Sequence, residues 1–475
     1  MSVSISRSDF LRDYGLALRA GEASAFVGAG LSRGAGFVDW KGLLQEFAAD
    51  LGLDLEVEQD LTLVAQYHLN REPARSRQRL HAKLVEEFAR SGTSSAHEAL
   101  ATLPIDIVWT SNYDTLVEDS FREAGRSVRV KNSSAKLLEA GSRAETTVFK
   151  LHGDLADPDT IVLTRDDYRT YTRKFPGFRD RLRSDLSERT FVFLGFSFTD
   201  PHLDLILNEL RLAFGDAHRE HFVVMRKEPM GHRGTKRYGY AANRQKLKIE
   251  DLATFGIRTL LVDNFDEVPA LLRDLDQQFR RTRVFVSGAA DDFEPRGQQW
   301  FEEFARDLGR RLIADGYDII SGFGKGIGPH LLSGALEQLY ADGATNIDRR
   351  LLLKPFPYGA TRRDLYTKYR QDLLATAGFA VFVAGNKTAP DGSIVPSDGV
   401  EEEFRIAVEN GAVPLPIATT GWVAEHLWSQ VKGEWAEHMS AVASRRDFNV
   451  MNRRSATVPD ILDALSKLMQ ANRTT

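Results

Sequence analysis

The sequence predicts an α/β protein with two doubly wound parallel sheets, one in each half of the chain. Short apolar runs alternate with segments of helical periodicity, and several of these runs end directly in glycine or polar residues. The succession of a strand and a glycine turn then begins afresh near residue 280. Alternation of this kind is typical of parallel sheets covered by helices on both faces. We therefore predict two domains, residues 1–280 and residues 281–475.

The composition is that of an ordinary globular protein. Its 475 residues are 42% apolar and 27% charged, which suits two or more domains with cores of their own. The net charge of −5 is the difference between 62 basic and 67 acidic residues, so we expect no nucleic-acid partner. The chain has no cysteine, which excludes disulfides, thiolate catalysis and zinc sites built from cysteine. We predict no metal cofactor.

The sequence also gives an expectation about location. The first nine residues lack the apolar centre of a secretory signal. No apolar run approaches the roughly 20 residues that a membrane-spanning helix needs. We expect a cytoplasmic protein that does not contact a membrane.

The first half opens with a helix and then a strand that runs into glycines. A helical pattern passes through Leu16 and Arg19, with Ser8 or Asp9 as its cap and Gly21 as its stop signal. Further helical patterns cover residues 39–47, 60–69, 75–88 and 204–214. Predicted strands cover residues 23–27, 105–110, 148–151, 190–194, 222–225 and 259–262. Short strands separated by helices predict a parallel sheet for this half.

Glycine or polar residues follow four of these strands at once. Gly28, Asn112, His152 and Gly195 each stand within two residues of a predicted strand end. In open parallel sheets, ligands bind at the carboxyl edge of the strands. If the four strands are neighbours, these residues converge on one site.

The second half repeats the pattern and is predicted to be another Rossmann-like domain. Its predicted strands cover residues 284–286, 317–320, 351–353, 380–383 and 413–415. Glycine turns follow the first two, at Ser287-Gly288 and at Gly322-Phe323-Gly324-Lys325. Arg370, Asn386 and Lys387 are candidates for contacts with phosphates, and Glu402 or Glu403 for contacts with ribose hydroxyls. This half is predicted to bind a nucleotide.

Three stretches of the first half resemble the signatures of the sirtuin fold, in the family's order. They are Gly28-Ala29-Gly30-Leu31-Ser32, Ser111-Asn112-Tyr113-Asp114 and Leu151-His152-Gly153-Asp154. The resemblance implies that Gly28, Ala29, Gly30 and Ser32 hold the pyrophosphate of NAD, and that Asn112 and Asp114 hold its nicotinamide-ribose end. It further implies that His152 is the general base, and that Gly195, Phe196 and Ser197 contact the adenosine side.

The chemistry of nicotinamide release agrees with Asn112 and His152 as the catalytic pair. Cleavage of the nicotinamide–ribose bond creates an oxocarbenium-like centre and needs a nucleophile on one face of the sugar. An amide orients ribose hydroxyls or water without adding charge, and a histidine titrates near neutrality, so it can take the proton of the nucleophile.

The chain departs from the deacetylases of the same fold. Those enzymes carry a four-cysteine zinc module that shapes the peptide groove, and this chain has no cysteine. The residues at Tyr113 and around 37–40 also differ from the usual deacetylase pattern. We therefore predict an NAD hydrolase, with water as the acceptor. The alternatives are an NAD-dependent protein deacylase and a non-catalytic nucleotide-binding scaffold.

The second half resembles the SLOG family of Rossmann-like nucleotide-binding domains. The resemblance is carried by Ser287-Gly288, the loop at 322–326 and the helix start at 399–404. A glycine-rich loop found in related glycosidic-bond-cleaving enzymes is absent at 396–401, where the chain reads Pro-Ser-Asp-Gly-Val-Glu. This favours ligand binding over catalysis in the second half.

Together, a sirtuin-like domain followed by a SLOG domain resembles the effectors of the Thoeris anti-phage systems. The resemblance implies an NAD-depleting enzyme that is switched on by a cyclic ADP-ribose isomer made by a TIR-domain partner protein. It also implies a homotetramer that extends into filaments. By position alone, the loop at 71–79 and the segment at 168–174 are candidates for blocking the resting site.

Overall fold

The computed structural model describes residues 4–37, 40–58, 60–88, 92, 94–140, 145–198, 200–215, 219–228, 236–356 and 363–473. The chain divides into two compact units, Met1–Asp276 and Gln277–Thr475. Val38, Asp39 and Thr199, which belong to stretches singled out in the sequence, lie outside the described residues.

A parallel sheet organises the first unit, and the described residues contribute eight strands to it. In chain order these are β1 (Ser4–Ile5), β2 (Ala23–Val27), β3 (Ile107–Thr110), β4 (Ser127–Lys131), β5 (Glu145–Lys150), β6 (Thr190–Leu194), β7 (His221–Arg226) and β8 (Ile257–Val262). Their order in the sheet is β1-β8-β7-β6-β2-β3-β5-β4, with every neighbouring pair parallel. The direction in which successive strands are added to the sheet reverses at β2. Open parallel sheets bind ligands at such a change of direction.

Helices connect these strands. They are α1 (Arg7–Ala20), α2 (Ala29–Ser32), α3 (Trp40–Leu51), α4 (Leu61–Arg71), α5 (Gln78–Phe88), α6 (Ser95–Thr102), α7 (Leu116–Glu123), α8 (Ser134–Leu137), α9 (Arg165–Lys174), α10 (Pro176–Glu188), α11 (Pro201–Phe214), α12 (Lys236–Ala253) and α13 (Val268–Arg280). The prediction that Ser8 or Asp9 caps α1 is wrong. The hydroxyl of Ser6 accepts the backbone N–H of Asp9 instead, and the helix ends at Gly21 as predicted.

The second unit contains a second parallel sheet, to which the described residues contribute five strands. The strands of this unit are β9 (Arg283–Ala289), β10 (Asp318–Ser321), β11 (Leu351–Leu353), β12 (Phe379–Ala384), β13 (Asn386–Thr388), β14 (Ile394–Pro396) and β15 (Val413–Ile417). The sheet order is β11-β10-β9-β12-β15, and β13 pairs with β14 as a separate antiparallel hairpin. The change of direction falls at β9.

The helices of the second unit cover both faces of its sheet. They are α14 (Gln298–Ala314), α15 (Gly328–Ala341), α16 (Ile347–Arg350), α17 (Arg363–Leu374), α18 (Asp398–Glu409), α19 (Trp422–Gly433), α20 (Trp435–His438), α21 (Arg445–Val450) and α22 (Val458–Arg473). Of the helices in the described part of the chain, none is both long and apolar enough to cross a membrane.

The central strands are apolar because both of their faces are covered. Every residue of β2, β6 and β12 is buried, as expected for parallel sheets between helical layers. In the first unit, Trp109 stacks on Phe149 with 4.5 Å between ring centroids, and its indole N–H donates to Asp185. The predicted α/β architecture is confirmed. The sequence analysis missed β1, β4 and the hairpin of β13 and β14.

Candidate active site and effector pocket

The four strands followed by glycine or polar residues are neighbours, in the order β6-β2-β3-β5. Their carboxyl ends therefore bring Gly195, Gly28, Asn112 and His152 to one edge of the sheet. The convergence that the sequence predicts is present, and it lies beside the change of direction at β2.

The glycines after β2 and β6 pack against each other. The N–H of Gly30 donates to the carbonyl of Gly195 at 2.9 Å, and the N–H of Gly28 donates to Leu194 at 2.9 Å. A Cβ at Gly28 would lie 2.5 Å from the carbonyl oxygen of Gly195, and one at Gly30 would lie 2.8 Å from it. The close contact of two turns, rather than a ligand alone, therefore requires glycine at these positions.

We expect Gly195→Ala to destabilise the first unit more than Gly215→Ala. Both glycines have positive φ, +64° and +57°, so each substitution adds backbone strain of about 1–3 kcal/mol. A Cβ at Gly195 would also lie 2.1 Å from the nitrogen of Leu31, whereas a Cβ at Gly215 meets no described atom within 4 Å. Overpacking adds roughly 1–3 kcal/mol for Gly195→Ala alone. Urea unfolding of both variants measures the difference, and equal losses would contradict this account.

Asn112, Ser32 and Asp114 form a buried polar group at the end of β3. The Asn112 amide nitrogen donates to Oγ of Ser32 at 3.0 Å. Burial raises the pKa of Asp114 above its usual range, although a hydrogen bond with Ser32 opposes the rise. Oδ1 of Asn112 is buried and has no hydrogen-bond partner among the residues that the structure describes. An unpaired buried amide oxygen at this edge is positioned to accept a hydrogen bond from a ligand hydroxyl.

A buried lysine holds the loop that follows β3 and carries Asn112. Nζ of Lys150, the last residue of β5, lies 3.0 Å from Oε1 of Glu118 and 3.5 Å from Oδ2 of Asp154. It also donates to the backbone carbonyls of Tyr113 at 3.3 Å and Asp114 at 2.9 Å. Burial works to lower the pKa of Lys150, but Glu118 and Asp154 more than offset it, so the pKa lies above its usual value. Lys150 therefore stays charged and holds the loop that carries Asn112.

His152 follows β5 and is paired with Asp200, the N-cap of α11. Its Nε2 lies 2.7 Å from Oδ2 of Asp200, and the Tyr168 hydroxyl lies 3.3 Å from the same nitrogen. The other ring nitrogen, Nδ1, is buried, and no group in the described part of the chain forms a hydrogen bond with it. His152 and Asp200 are 4% and 8% exposed, so solvent does not screen their interaction.

Aromatic side chains close the space around His152. The ring centroid of Trp40 lies 6.4 Å from that of His152, and the ring centroid of Tyr168 lies 5.5 Å from it. Tyr168 also stacks on His202, with 5.3 Å between centroids and 4° between planes. Tyr168 belongs to one of the two segments predicted by position to block the site. In the other, the Arg77 guanidinium binds Asp167 of α9 through two hydrogen bonds, of 2.9 and 2.6 Å.

The remaining residues predicted for the first site lie along the same edge. Ala29 and Ser32 are the ends of α2, and the Phe196 ring packs 4.8 Å from that of Phe26. Ser197 is exposed, and its carbonyl accepts from Nζ of Lys248 at 2.5 Å. In the part of the chain that the structure describes, no group of three or more His, Asp or Glu side chains is arranged to hold a metal ion.

The second unit contains a cavity of about 620 Å³ between α17 and the start of α18. Among the described residues it is lined by Phe356, Tyr366, Thr367, Arg370, Asp398, Gly399 and Glu402. The Arg370 guanidinium donates to Oε2 of Glu402 at 2.7 Å and lies over the Phe356 ring, 5.1 Å from its centroid. Of the predicted effector-binding residues, this lining contains Arg370 and Glu402.

The other predicted effector-binding residues lie around the carboxyl edge of the second sheet. Glu403 is buried, which raises its pKa, and it accepts a hydrogen bond of 2.5 Å from the Ser287 hydroxyl. Lys325 lies 2.5 Å from Asp291, and Lys387 forms an ion pair with Asp398. The rest are Gly288 and Gly324, whose backbones pack together, Gly322 beside Phe356, exposed Phe323, and Asn386, whose side chain holds the backbone at 291–292.

Comparison with known proteins places both units. The model of the SIR2-like domain matches residues 106–250, and that of the Sir2- and TIR-associating SLOG family matches residues 267–472. The NAD(+) hydrolase ThsA of Bacillus cereus is 33% identical over 465 residues, 97% of each chain. The NAD(+) hydrolase ThsA of Acinetobacter baumannii is 36% identical over 455 residues, 93% of this chain and 94% of that one. The chain belongs to the ThsA family.

A more distant relative matches part of the chain. Defense-associated sirtuin 2 of Bacillus subtilis is 24% identical over 135 residues, which is 28% of this chain and 13% of that protein. Membership of the ThsA family confirms the resemblance to a sirtuin-like domain followed by a SLOG domain.

The sequence analysis of this ThsA-family chain missed several residues of the site. Asp200 lies six residues after the end of β6, and its pairing with His152 depends on how the ends of β5 and β6 are placed. Lys150 ends an apolar strand and gives no sequence signal of its burial. Trp40 lies in a stretch that was noted for its helical pattern and as a departure from the deacetylase pattern, but not as part of the site.

Proposed function

We propose that this chain is an NAD(+) hydrolase that cleaves the nicotinamide–ribose bond to give nicotinamide and ADP-ribose. The activity belongs to residues 1–280, and residues 281–475 sense a nucleotide signal. One observation carries the proposal: at the ends of β3 and β5, Oδ1 of Asn112 and Nδ1 of His152 are buried without hydrogen-bond partners among the described residues. The names of the ThsA relatives, which are NAD(+) hydrolases, support this activity.

In this mechanism, the pyrophosphate of NAD lies along the turn formed by Gly28, Ala29, Gly30 and Ser32. Its adenosine lies toward Phe196 and Ser197. Oδ1 of Asn112 accepts a hydrogen bond from a hydroxyl of the nicotinamide ribose or from the attacking water. His152 takes the proton of that water as it bonds to the anomeric carbon. Positioning of the sugar and water, together with exclusion of bulk solvent, supplies a large part of the rate enhancement in such a site.

We also propose that the enzyme is inactive until a signalling nucleotide binds. Nδ1 of His152 is buried, and the rings of Trp40 and Tyr168 pack around the imidazole, so in this proposal the substrate enters only after these side chains move. We propose that a cyclic ADP-ribose isomer made by a TIR-domain partner binds the cavity at Arg370 and Glu402. A ligand activates only if it binds the active arrangement more tightly than the resting one.

The proposal also covers the oligomeric state and the cellular role of the enzyme. The active form is a homo-oligomer, a tetramer able to extend into filaments, and it depletes the cytoplasmic NAD pool of a cell infected by phage. The name of the Bacillus subtilis relative, Defense-associated sirtuin 2, supports a role in defence. The description of the matching SLOG family as Sir2- and TIR-associating supports the TIR partner.

The deciding experiment measures NAD consumption and nicotinamide release by the purified full-length protein. Cyclic ADP-ribose isomers linked through different ribose hydroxyls are added one at a time. We expect stimulated release that His152→Ala abolishes, while His426→Ala, which removes an exposed imidazole of α19, retains it. NAD left intact under every condition would overturn the proposal. A requirement for an acylated peptide would replace it with deacylation.

A further inference from the structure

The two carboxylate oxygens of Asp200 have separate tasks. Oδ1 accepts the backbone N–H groups of His202 at 2.8 Å and Leu203 at 3.0 Å, which caps α11. Oδ2 lies 2.7 Å from Nε2 of His152. Burial alone would raise the pKa of Asp200, but the hydrogen bond with His152 and those from the helix start hold it below its usual value. Asp200 is therefore an ionised carboxylate at neutral pH.

An ionised carboxylate accepts hydrogen bonds and donates none. The nitrogen that faces it, Nε2, must then carry the ring hydrogen, which leaves the lone pair of a neutral imidazole on Nδ1. We propose that Asp200 is a positioning residue, which fixes the tautomer of His152 and makes Nδ1 the atom that receives the proton. This inference rests on the proposed NAD hydrolysis.

The other groups around His152 do not compete for this task. From α9, Tyr168 presents a hydroxyl at 3.3 Å from Nε2, and its pKa is raised well above the usual value, chiefly by burial, so it stays neutral. From α3, Trp40 presents an uncharged ring, 6.4 Å from that of His152 between centroids. His202 of α11 has a pKa lowered by burial, so it is neutral at neutral pH. Among these described neighbours, the charge that faces Nε2 is that of Asp200.

The step balances with the groups in place. The oxygen of water bonds to the anomeric carbon, the bond to nicotinamide breaks, and its electron pair neutralises the nicotinamide ring. The proton of the water passes to Nδ1 of His152, and the resulting imidazolium is stabilised by the carboxylate of Asp200. NAD(+) and water thus give nicotinamide, ADP-ribose and one proton, which His152 later releases to solvent.

The test compares Asp200→Asn and Asp200→Ser with Asp204→Asn, all in the full-length protein with the stimulating cyclic ADP-ribose isomer. Asparagine and serine both cap helices, so α11 keeps its start. Asparagine turns an N–H toward Nε2, which moves the ring hydrogen to Nδ1, and serine withdraws the partner. We expect both to lower kcat by roughly 10²- to 10⁴-fold with a much smaller change in KM. Asp204→Asn, on the exposed first turn of α11, should leave both constants unchanged.

A second measurement does not depend on turnover. The ¹⁵N shifts of the His152 ring, assigned by difference against His152→Ala among the 11 histidines, report which nitrogen carries hydrogen. We expect hydrogen on Nε2 in the parent protein and on Nδ1 in Asp200→Asn, and the same protonated nitrogen in both would overturn the inference. Parent-like kcat in Asp200→Asn and Asp200→Ser, with His152→Ala inactive, would overturn it and leave the proposed function standing. A parent protein that consumes no NAD would overturn both.

Discussion

Lys150→Met is expected to lower the free energy of unfolding of the first unit by about 3–5 kcal/mol. Lys150 is 1% exposed, and its ammonium is held by Glu118, Asp154 and two backbone carbonyls. Methionine keeps the apolar stem but removes the charge. The Glu118 carboxylate, also 1% exposed, must then stay charged without its partner or take a proton, and either change costs free energy.

Urea unfolding, followed by tryptophan fluorescence, measures this loss. The control is Lys227→Met, which breaks an exposed ion pair of 2.7 Å with Asp263 and should lower the free energy of unfolding far less. Adding Glu118→Gln to Lys150→Met should recover part of the loss, because the stranded charge is removed. Equal losses for Lys150→Met and Lys227→Met would show that the buried ammonium does not stabilise the unit.

The stability of this cluster and the geometry of the site are connected through the backbone. Lys150 donates to the carbonyls of Tyr113 and Asp114, and the side chain of the preceding residue, Asn112, reaches the edge of the sheet. Lys150 itself lies two residues before His152. One buried charge thus fixes the relative placement of the two residues to which we assign the chemistry.

The convergence of the site was predictable because it follows from chain topology. Apolar runs reveal where strands end, and parallel strands place those ends on one edge, so Gly28, Asn112, His152 and Gly195 could be grouped before the structure was known. The strands that were missed are weakly patterned or short. β1 has two residues, and β4 alternates valines with polar residues at the sheet edge.

Side-chain partners were not predictable in the same way. His152 and Asp200 are 48 residues apart, and their contact depends on the placement of α11 relative to β5. The sequence also reveals only in part why positions 28 and 30 require glycine. A glycine turn predicts close approach of something to the backbone, but the sequence does not reveal that the neighbouring turn at Gly195 occupies that space.

The second unit illustrates the same limit. Arg370 and Glu402 were among eleven residues predicted to bind a ligand, and they line the cavity. Asn386 follows β12 in the position expected of a ligand-binding residue. Its amide oxygen instead accepts the backbone N–H groups of Asp291 and Asp292, so it shapes the loop. Polar residues after strands serve as caps and loop anchors as often as they serve as ligand contacts, and the sequence does not separate these uses.

Arg370→Ala is expected to raise the half-activating concentration of the proposed activator, a cyclic ADP-ribose isomer, by roughly 10- to 100-fold, the loss of one or two charge-assisted hydrogen bonds. The guanidinium is fixed before ligand arrives, because Glu402 binds one edge and Phe356 packs against its face. A planar fork held in this way can bind a phosphate through two N–H groups with little loss of side-chain entropy.

Arg370→Lys separates charge from geometry at this position. Lysine keeps the positive charge but not the paired donors, so its half-activating concentration should fall between those of the parent and Arg370→Ala. Arg405→Ala is the matched control, because Arg405 of α18 pairs with Glu409 on the exposed face of the same helix. Titration calorimetry with the isomer should show the same order in Kd as activation does. If Arg370→Ala and Arg405→Ala bind the isomer equally well, the signal does not occupy this cavity, and the mechanism of activation must begin elsewhere in the second unit.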